Sequence, residues 1–496
     1  MNSFFEVPAG KTRLSVVFMA LLLLHVSMKF WLGGHIIDLK LTGDENAYSD
    51  AAMALSNLVR DLLSLSPPDA SQIGRSVVGN GWFMPGMAVL LTPLYLVVSD
   101  PSILAVRIYM GLLSLGALLW ALRSAYKNLG PAYALALLAF PSVAPIWVLF
   151  SFTAWGDLYA GLLLVVLLCH SLALLRNFRE QQQIRLWDGA KLGVLAISCL
   201  YLRSSVLPLI PLLFAFLGAG LMMLAKGSSR IQGVKALAMG AIAFVALLLP
   251  WSITASAFLK SRVVTTTTVP ISMAVAFGNP NQLCFGSCGK GNIWFNSVRY
   301  SKQIAAMRGE DEITVQKSMS RYAMRHVTAR SYSAKVLTNI RRYAFFPSAF
   351  VKHFLSSEKS KAYAAEKPLY EKFIDAGTRY PYYLFLLMMA ISWFVVKRRS
   401  VEKQLESLLL KLFTVAMLAQ PFVHISGGRY WTVFAPLCAL SAAFVMTTAL
   451  QRVHKTPGPP AMILEASEEK ALFYLQVAFA IALTFGAAIL LWLGNS

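Results

Sequence analysis

What most constrains this chain is a series of apolar runs, most of them about long enough to cross a bilayer. A helix rises 1.5 Å per residue, so a hydrocarbon layer of about 30 Å calls for about 20 residues. Runs of that order fall at residues 14–37, 101–122, 131–150, 156–175, 189–202, 205–225, 235–256, 380–396, 404–424, 430–450 and 471–493. In lipid the backbone must satisfy its own hydrogen bonds, and runs of this length do so as helices. The expected fold is therefore an all-α polytopic membrane protein with about eleven transmembrane helices, juxtamembrane helices and one mixed α/β extracytoplasmic region. A 57% hydrophobic, 14% charged composition with mean hydropathy +0.59 belongs to the same class. The net charge of +22 is no sign of nucleic acid, because the Lys and Arg mostly flank apolar runs, where topology and anionic headgroups place them.

Basic clusters set the orientation. Lys11 and Arg13 precede the first run, which no clear cleavage site follows, so it reads as a retained helix with its N-terminus in the cytoplasm. The run 84–98 is short and carries Pro85 and Pro93. If it crossed, Arg123/Lys127, Arg176/Arg179/Arg185, Lys226/Arg230/Lys235, Lys397/Arg398/Arg399/Lys403 and Arg452/Lys455 would all be outside. A re-entrant or juxtamembrane helix puts them inside, as the positive-inside rule prefers. The C-terminus then lies outside. Three parts follow: 1–256, a transmembrane core with a first outer loop at 38–100; 257–379, an extracytoplasmic region; and 380–496, the C-terminal transmembrane helices.

The region 257–379 opens with the β-prone run 263–269, then a turn at Gly278-Asn279-Pro280, then helical patterning from about Glu312 to Phe354. Of five cysteines, Cys169, Cys199 and Cys438 lie within apolar runs as small core residues. Cys284 and Cys288 sit in the polar loop, where an extracytoplasmic location favours a disulfide.

Just beyond the first run comes the polar segment 43–52. After Asp44, apolar residues fall at Tyr48, Ala51/Ala52, Leu55, Leu58/Val59 and Leu62, the spacing of an amphipathic helix with Asp44 in its first turn. Asp44-Glu45-x-x-Tyr48-x-x-x-Ala52 resembles the first outer loop of GT-C superfamily glycosyltransferases, in the branch of the lipid A aminoarabinose transferases and protein O-mannosyltransferases. Further likenesses follow in order: Gly81-Trp82-Phe83-Met84-Pro85-Gly86, Arg107, Asp157 at the start of a span, Pro250-Trp251, and Arg429-Tyr430 ahead of a span containing Pro436. The chain departs at Phe83-Met84-Pro85, where relatives carry Lys-Pro-Pro or similar.

The resemblance implies an integral-membrane transferase of the bacterial inner membrane, active on the periplasmic side in cell-envelope glycan or lipopolysaccharide synthesis. It would move a sugar from a polyprenyl-phosphate donor to a hydroxyl of a lipid or glycan acceptor by one inverting displacement. The residues expected to carry the reaction are the carboxylates Asp44, as the base that takes the acceptor proton, Asp157 and Glu45. Arg203, Arg429, Lys260 and Arg262 would hold the donor phosphate, because a guanidinium meets phosphate oxygens with paired hydrogen bonds. Tyr48, Trp82 and Tyr430 would contact substrate. No metal or other cofactor is indicated, and the partners are the lipid donor, the acceptor and membrane lipids, not nucleic acid. Capping for Asp157 and snorkelling for the arginines are the plainer roles. The competing class is a transporter or flippase of lipid-linked sugars. Internal repeats and mid-bilayer charges would mark it, whereas here the charges gather at span ends.

Overall fold

The computed structural model describes residues 9–181, 183–279, 281–286, 293–358, 361, 367–396, 400–424, 427–453 and 466–495. Pro280, Cys288, Lys397, Arg398, Arg399 and Lys455 lie outside them. The apolar runs form helices. In chain order these are α1 (Ala9–Ile36), α2 (Asp44–Leu63), α3 (Gly86–Val97), α4 (Ile103–Asn128), α5 (Pro131–Ala139), α6 (Pro145–Phe150), α7 (Gly156–Arg179), α8 (Leu186–Leu202), α9 (Leu209–Leu224) and α10 (Gly227–Leu259). Next come α11 (Val269–Phe277), α12 (Ile293–Arg308), α13 (Glu312–Met324), α14 (Ala329–Phe345) and α15 (Val351–Phe354). The chain continues through α16 (Lys367–Phe394), α17 (Val401–Met417), α18 (Trp431–Val453) and α19 (Ala466–Asn495).

Among the described residues eight helices are long and apolar enough to cross a membrane: Leu14–Ile36, Ile103–Asn128, Gly156–Arg179, Ser204–Leu224, Gly227–Leu259, Val401–Val423, Trp431–Leu450 and Glu469–Gly494. The other three expected spans take different forms. Residues 131–150 divide into α5 and α6, with Pro141 between them. The run 189–202 is the 17-residue α8, and 380–396 is the end of the 28-residue α16, whose first half bears Glu371, Lys372, Asp375 and Arg379. The break between α5 and α6 is buried, and distant helices meet polar groups on and beside it. His25 Nδ1 lies 2.7 Å from the Ser142 carbonyl oxygen, and the Ile146 amide donates to Thr378 Oγ1 at 3.0 Å. Irregular backbone at membrane depth survives only where protein supplies such partners. Helix α3, at 12 residues, rises about 18 Å. That is too short to cross, and α3 lies against α2 instead.

Helix α7 is central. Buried residues make up 83% of its most apolar stretch, against 0% for α19. Helices α4, α8, α17 and α18 pack around it. Lipid offers no hydrophobic drive for helix association, so close backbone approach has to supply the packing. Helices α8 and α10 cross this way: a Cβ on Gly189 or Gly193 would run into the carbonyls of Ala236 or Gly240. Arg107 at the start of α4 and the loop before α7 share one end of the bundle. At the other end Arg176 of α7 donates to the Asn128 carbonyl at 2.7 Å. Helices α4 and α7 are therefore parallel, and α5–α6 is the return.

Helices α11 to α13 enclose a second, smaller core around Ile271, Leu283, Val298, Val315 and Met319, with Trp82 packed against it. Among the described residues no strand occurs, so the mixed α/β character expected outside the membrane is not found there. The Thr-rich run 263–268 lacks a neighbouring strand to pair with. Its backbone groups go elsewhere: the Thr267 amide donates to Gly81 O at 2.9 Å, Trp251 Nε1 to Thr265 O at 2.6 Å, and Ser252 Oγ to Val263 O at 2.6 Å. Cys284 is disulfide-bonded, while Cys169, Cys199 and Cys438 are free and buried.

Candidate active site

Four chain segments meet at one end of the bundle: the start of α2, the start of α7, the end of α8 and the turn before α18. The meeting of α7 and α8 depends on Gly156, where any Cβ would strike the Leu202 carbonyl. With the backbones in contact, the next residue of each segment forms an ion pair, Arg203 Nη1 to Asp157 Oδ1 at 2.9 Å. On the far side of Asp157, Oδ2 lies 3.6 Å from Nε of Arg429. Arg429 in turn donates through Nη2 to Asp44 Oδ2. The result is a chain of alternating charge, Asp44–Arg429–Asp157–Arg203, with no net charge.

Neither acid is a helix cap. The N-cap of α2 is Gly43 and that of α7 is Trp155, and neither cap residue accepts a side-chain capping bond. Aromatic rings hold the two guanidinium groups from beneath. Arg203 lies 3.9 Å from the ring centre of Tyr430 and Arg429 lies 5.1 Å from that of Trp155, both within cation–π range. Burial works against the charge on Arg429, and Asp157 and Asp44 beside it outweigh burial, so its pKa is pushed up. Access differs along the chain of charges. Asp157 is 3% exposed and Asp44 is 25% exposed, so of the two acids only Asp44 faces an incoming molecule, with Arg429 at 17% and Arg203 at 15% beside it.

Glu45 points elsewhere. A step of about 100° round α2 carries it to the face of Ala52 and Ser56, where all three are sealed at 0% exposure. There it meets Arg107, also sealed, at 2.5 Å, and accepts from the Ala154 amide at 2.9 Å and the Thr42 amide at 3.2 Å. Arg107 completes the staple by donating to Leu39 O at 2.8 Å and Phe152 O at 3.1 Å. The pair ties the loop before α2 to the loop before α7, and so ties the segment carrying Asp44 to the one carrying Asp157. Of the two neighbouring acids expected to take part in the reaction, the fold sets Asp44 at the rim and Glu45 in the sealed pair with Arg107.

Tyr48, one turn from Asp44, is half-buried with its ring 5.3 Å from Phe83. Burial and then Asp44 raise its hydroxyl pKa, so it remains a hydrogen-bond donor. Trp82 is half-buried against the smaller core. Lys260 and Arg262 are exposed beyond the end of α10, and among the described residues no contact joins them to the charged chain. The backbone of His424 accepts from Asn339 Nδ2 at 3.3 Å, which fixes the turn before Arg429. Sequence reasoning passed over Lys29. It reaches from α1 to Ser114 Oγ at 2.8 Å and Ser151 Oγ at 2.6 Å, beneath the ring of Phe152 at 4.8 Å. A lone lysine inside an apolar span was the available signal.

Among the described residues no group of three or more His, Cys, Asp and Glu side chains is placed to hold a metal ion. Fold and cluster together define an all-helical, multi-pass membrane protein with paired acids and arginines at one end of its spans. Comparison with family models and with curated proteins gave no match. Among solved structures the chain is similar to the crystal structure of the Archaeoglobus fulgidus oligosaccharyltransferase in complex with Zn and sulfate, at 13% identity and a TM-score of 0.38. The match covers 82% of this chain and 43% of that one, so the chain spans less than half the length of the structure it matches.

Proposed function

We propose that this protein is an integral-membrane glycosyltransferase. It transfers a sugar from a polyprenyl-phosphate donor to an acceptor hydroxyl at the extracytoplasmic face of the bacterial inner membrane. The observation that carries the reading is the Asp44–Arg429 pair: a reachable carboxylate and a guanidinium sharing one hydrogen bond at the rim of the bundle. A donor phosphate arriving there competes with Asp44 for Arg429. Once the guanidinium turns to the phosphate, Asp44 is released to the acceptor hydroxyl. The acceptor oxygen then bonds to the anomeric carbon and its proton passes to Asp44. The bond from that carbon to the phosphate oxygen breaks, and its electron pair leaves on polyprenyl phosphate, stabilised by Arg429 and Arg203. Attack opposite the leaving group inverts the anomeric carbon. Asp157, wedged between the arginines, keeps both aimed at one place, a positioning duty that suits its burial.

The test is acceptor-dependent release of polyprenyl phosphate by purified protein in bilayer discs. Asp44→Asn preserves size but cannot take the proton, and loss of a general base costs about 100- to 10,000-fold in turnover. Because the cap of α2 is Gly43, that variant should melt near wild type. A fully active Asp44→Asn protein would remove the base from this mechanism.

A further inference from the structure

Beyond Asp44, the same face of α2 presents Ala47, Tyr48 and Ala51 at helical spacing, and these three line a pocket of about 310 Å³. Opposite them stand the π-helix Ile73–Val78, the turn 79–81 and the segment 82–85. The pocket is held open from behind. Thr267 donates its amide to Gly81 O at 2.9 Å and its hydroxyl to Asn80 O at 2.7 Å. Gly79 and Gly81 adopt positive φ, which lets the turn bend back over the cavity. Two kinds of surface meet inside. Tyr48, Trp82 and Phe83 contribute aromatic area, while Asp50, Arg75 and Asn80 contribute hydrogen-bond acceptors and donors.

The geometry points to this pocket as the seat of an acceptor sugar, one residue of a glycan that offers a hydroxyl to Asp44. The assignment rests on the transferase reading above and names its acceptor class. A pyranose presents apolar C–H faces and a rim of hydroxyls that both donate and accept, matching aromatic walls edged by Asp, Arg and Asn. A phosphate is the poorer fit, because Asp50 lies in the pocket and Asp44 one turn away, and both repel an anion. The chemistry also lies within reach. Asp44 stands about 6 Å along the helix axis from Tyr48, so a hydroxyl projecting from the mouth toward the start of α2 arrives at its carboxylate.

The experiment probes the purified full-length protein in bilayer discs with a printed panel of oligosaccharides of defined linkage, beside peptides containing serine and threonine. Wild type and Asp44→Asn should both bind a subset of the glycans and no peptide. Arg75→Ala, an exposed position whose loss leaves packing intact, should weaken that binding at least tenfold, and Trp82→Ala should do the same. Absence of glycan binding, binding to peptides instead, or glycan binding unchanged in Arg75→Ala would each overturn the assignment. Release of polyprenyl phosphate by the same wild-type sample separates the two claims. Release without glycan binding sinks the pocket alone, whereas glycan binding without release from any donor sinks the transferase reading.

Discussion

At the scale of single residues, Asp44 and Glu45 are neighbours in sequence with opposite fates. Their hundred-degree separation was legible from the helix period, but which of them would face the core was not. That depended on Arg107, 62 residues away. A lone arginine in the second turn of an apolar span was the readable hint of a buried partner. Removing one member of a buried ion pair strands the other and costs about 3–5 kcal/mol. Arg107→Met should therefore lower the melting midpoint markedly, and Glu45→Gln in the same chain should restore part of the loss. The outer pair behaves differently. Arg429→Ala or Arg203→Ala should leave melting closer to wild type while weakening use of the lipid donor by about 1.5–3 kcal/mol, the worth of a charge-assisted contact. Donor titrations that matched wild type for both variants would place the phosphate elsewhere.

At the scale of elements, span ends told more than span interiors. Asp157, Arg203 and Arg429 could be placed at a common end from hydropathy and basic clusters, because a helix crossing a bilayer fixes where its ends lie. What hydropathy missed was backbone that stays irregular inside protein, as at 140–144 between α5 and α6, where the apolar pattern runs on through the break. The β-prone run 263–269 misled for a related reason. Branched residues favour a strand only when a second strand is present to accept its hydrogen bonds. The contact of α7 with α8 was likewise unreadable, since a glycine opposite a carbonyl leaves no pattern in one sequence. It yields a prediction: Gly156→Val should push α7 off α8, lowering both melting midpoint and turnover. The same substitution at Gly116, where a Cβ meets nothing within 4 Å, should be close to silent.

At the scale of the whole molecule, the layout requires Asp157 on one side of the membrane and Lys127 and Arg230 on the other. Single cysteines at 127, at 230 and at the exposed Lys260, which lies at the Asp157 end of the bundle, labelled from outside intact cells, should react at 260 and not at 127 or 230. The reverse pattern would invert the fold and take the proposed site with it. The pairing of Asp44 with Arg429 joins residues 385 positions apart. Ribosomes add about 5–20 residues per second, so roughly 20 to 80 s separate the emergence of the two. During that interval the early spans are already in the bilayer and Asp44 lacks its Arg429 partner. The Asp44–Arg429 pair of a growing chain therefore closes only as the hairpin of α17 and α18 inserts. Stalled or truncated products ending before it would occupy membrane without the pair on which the proposed transfer depends.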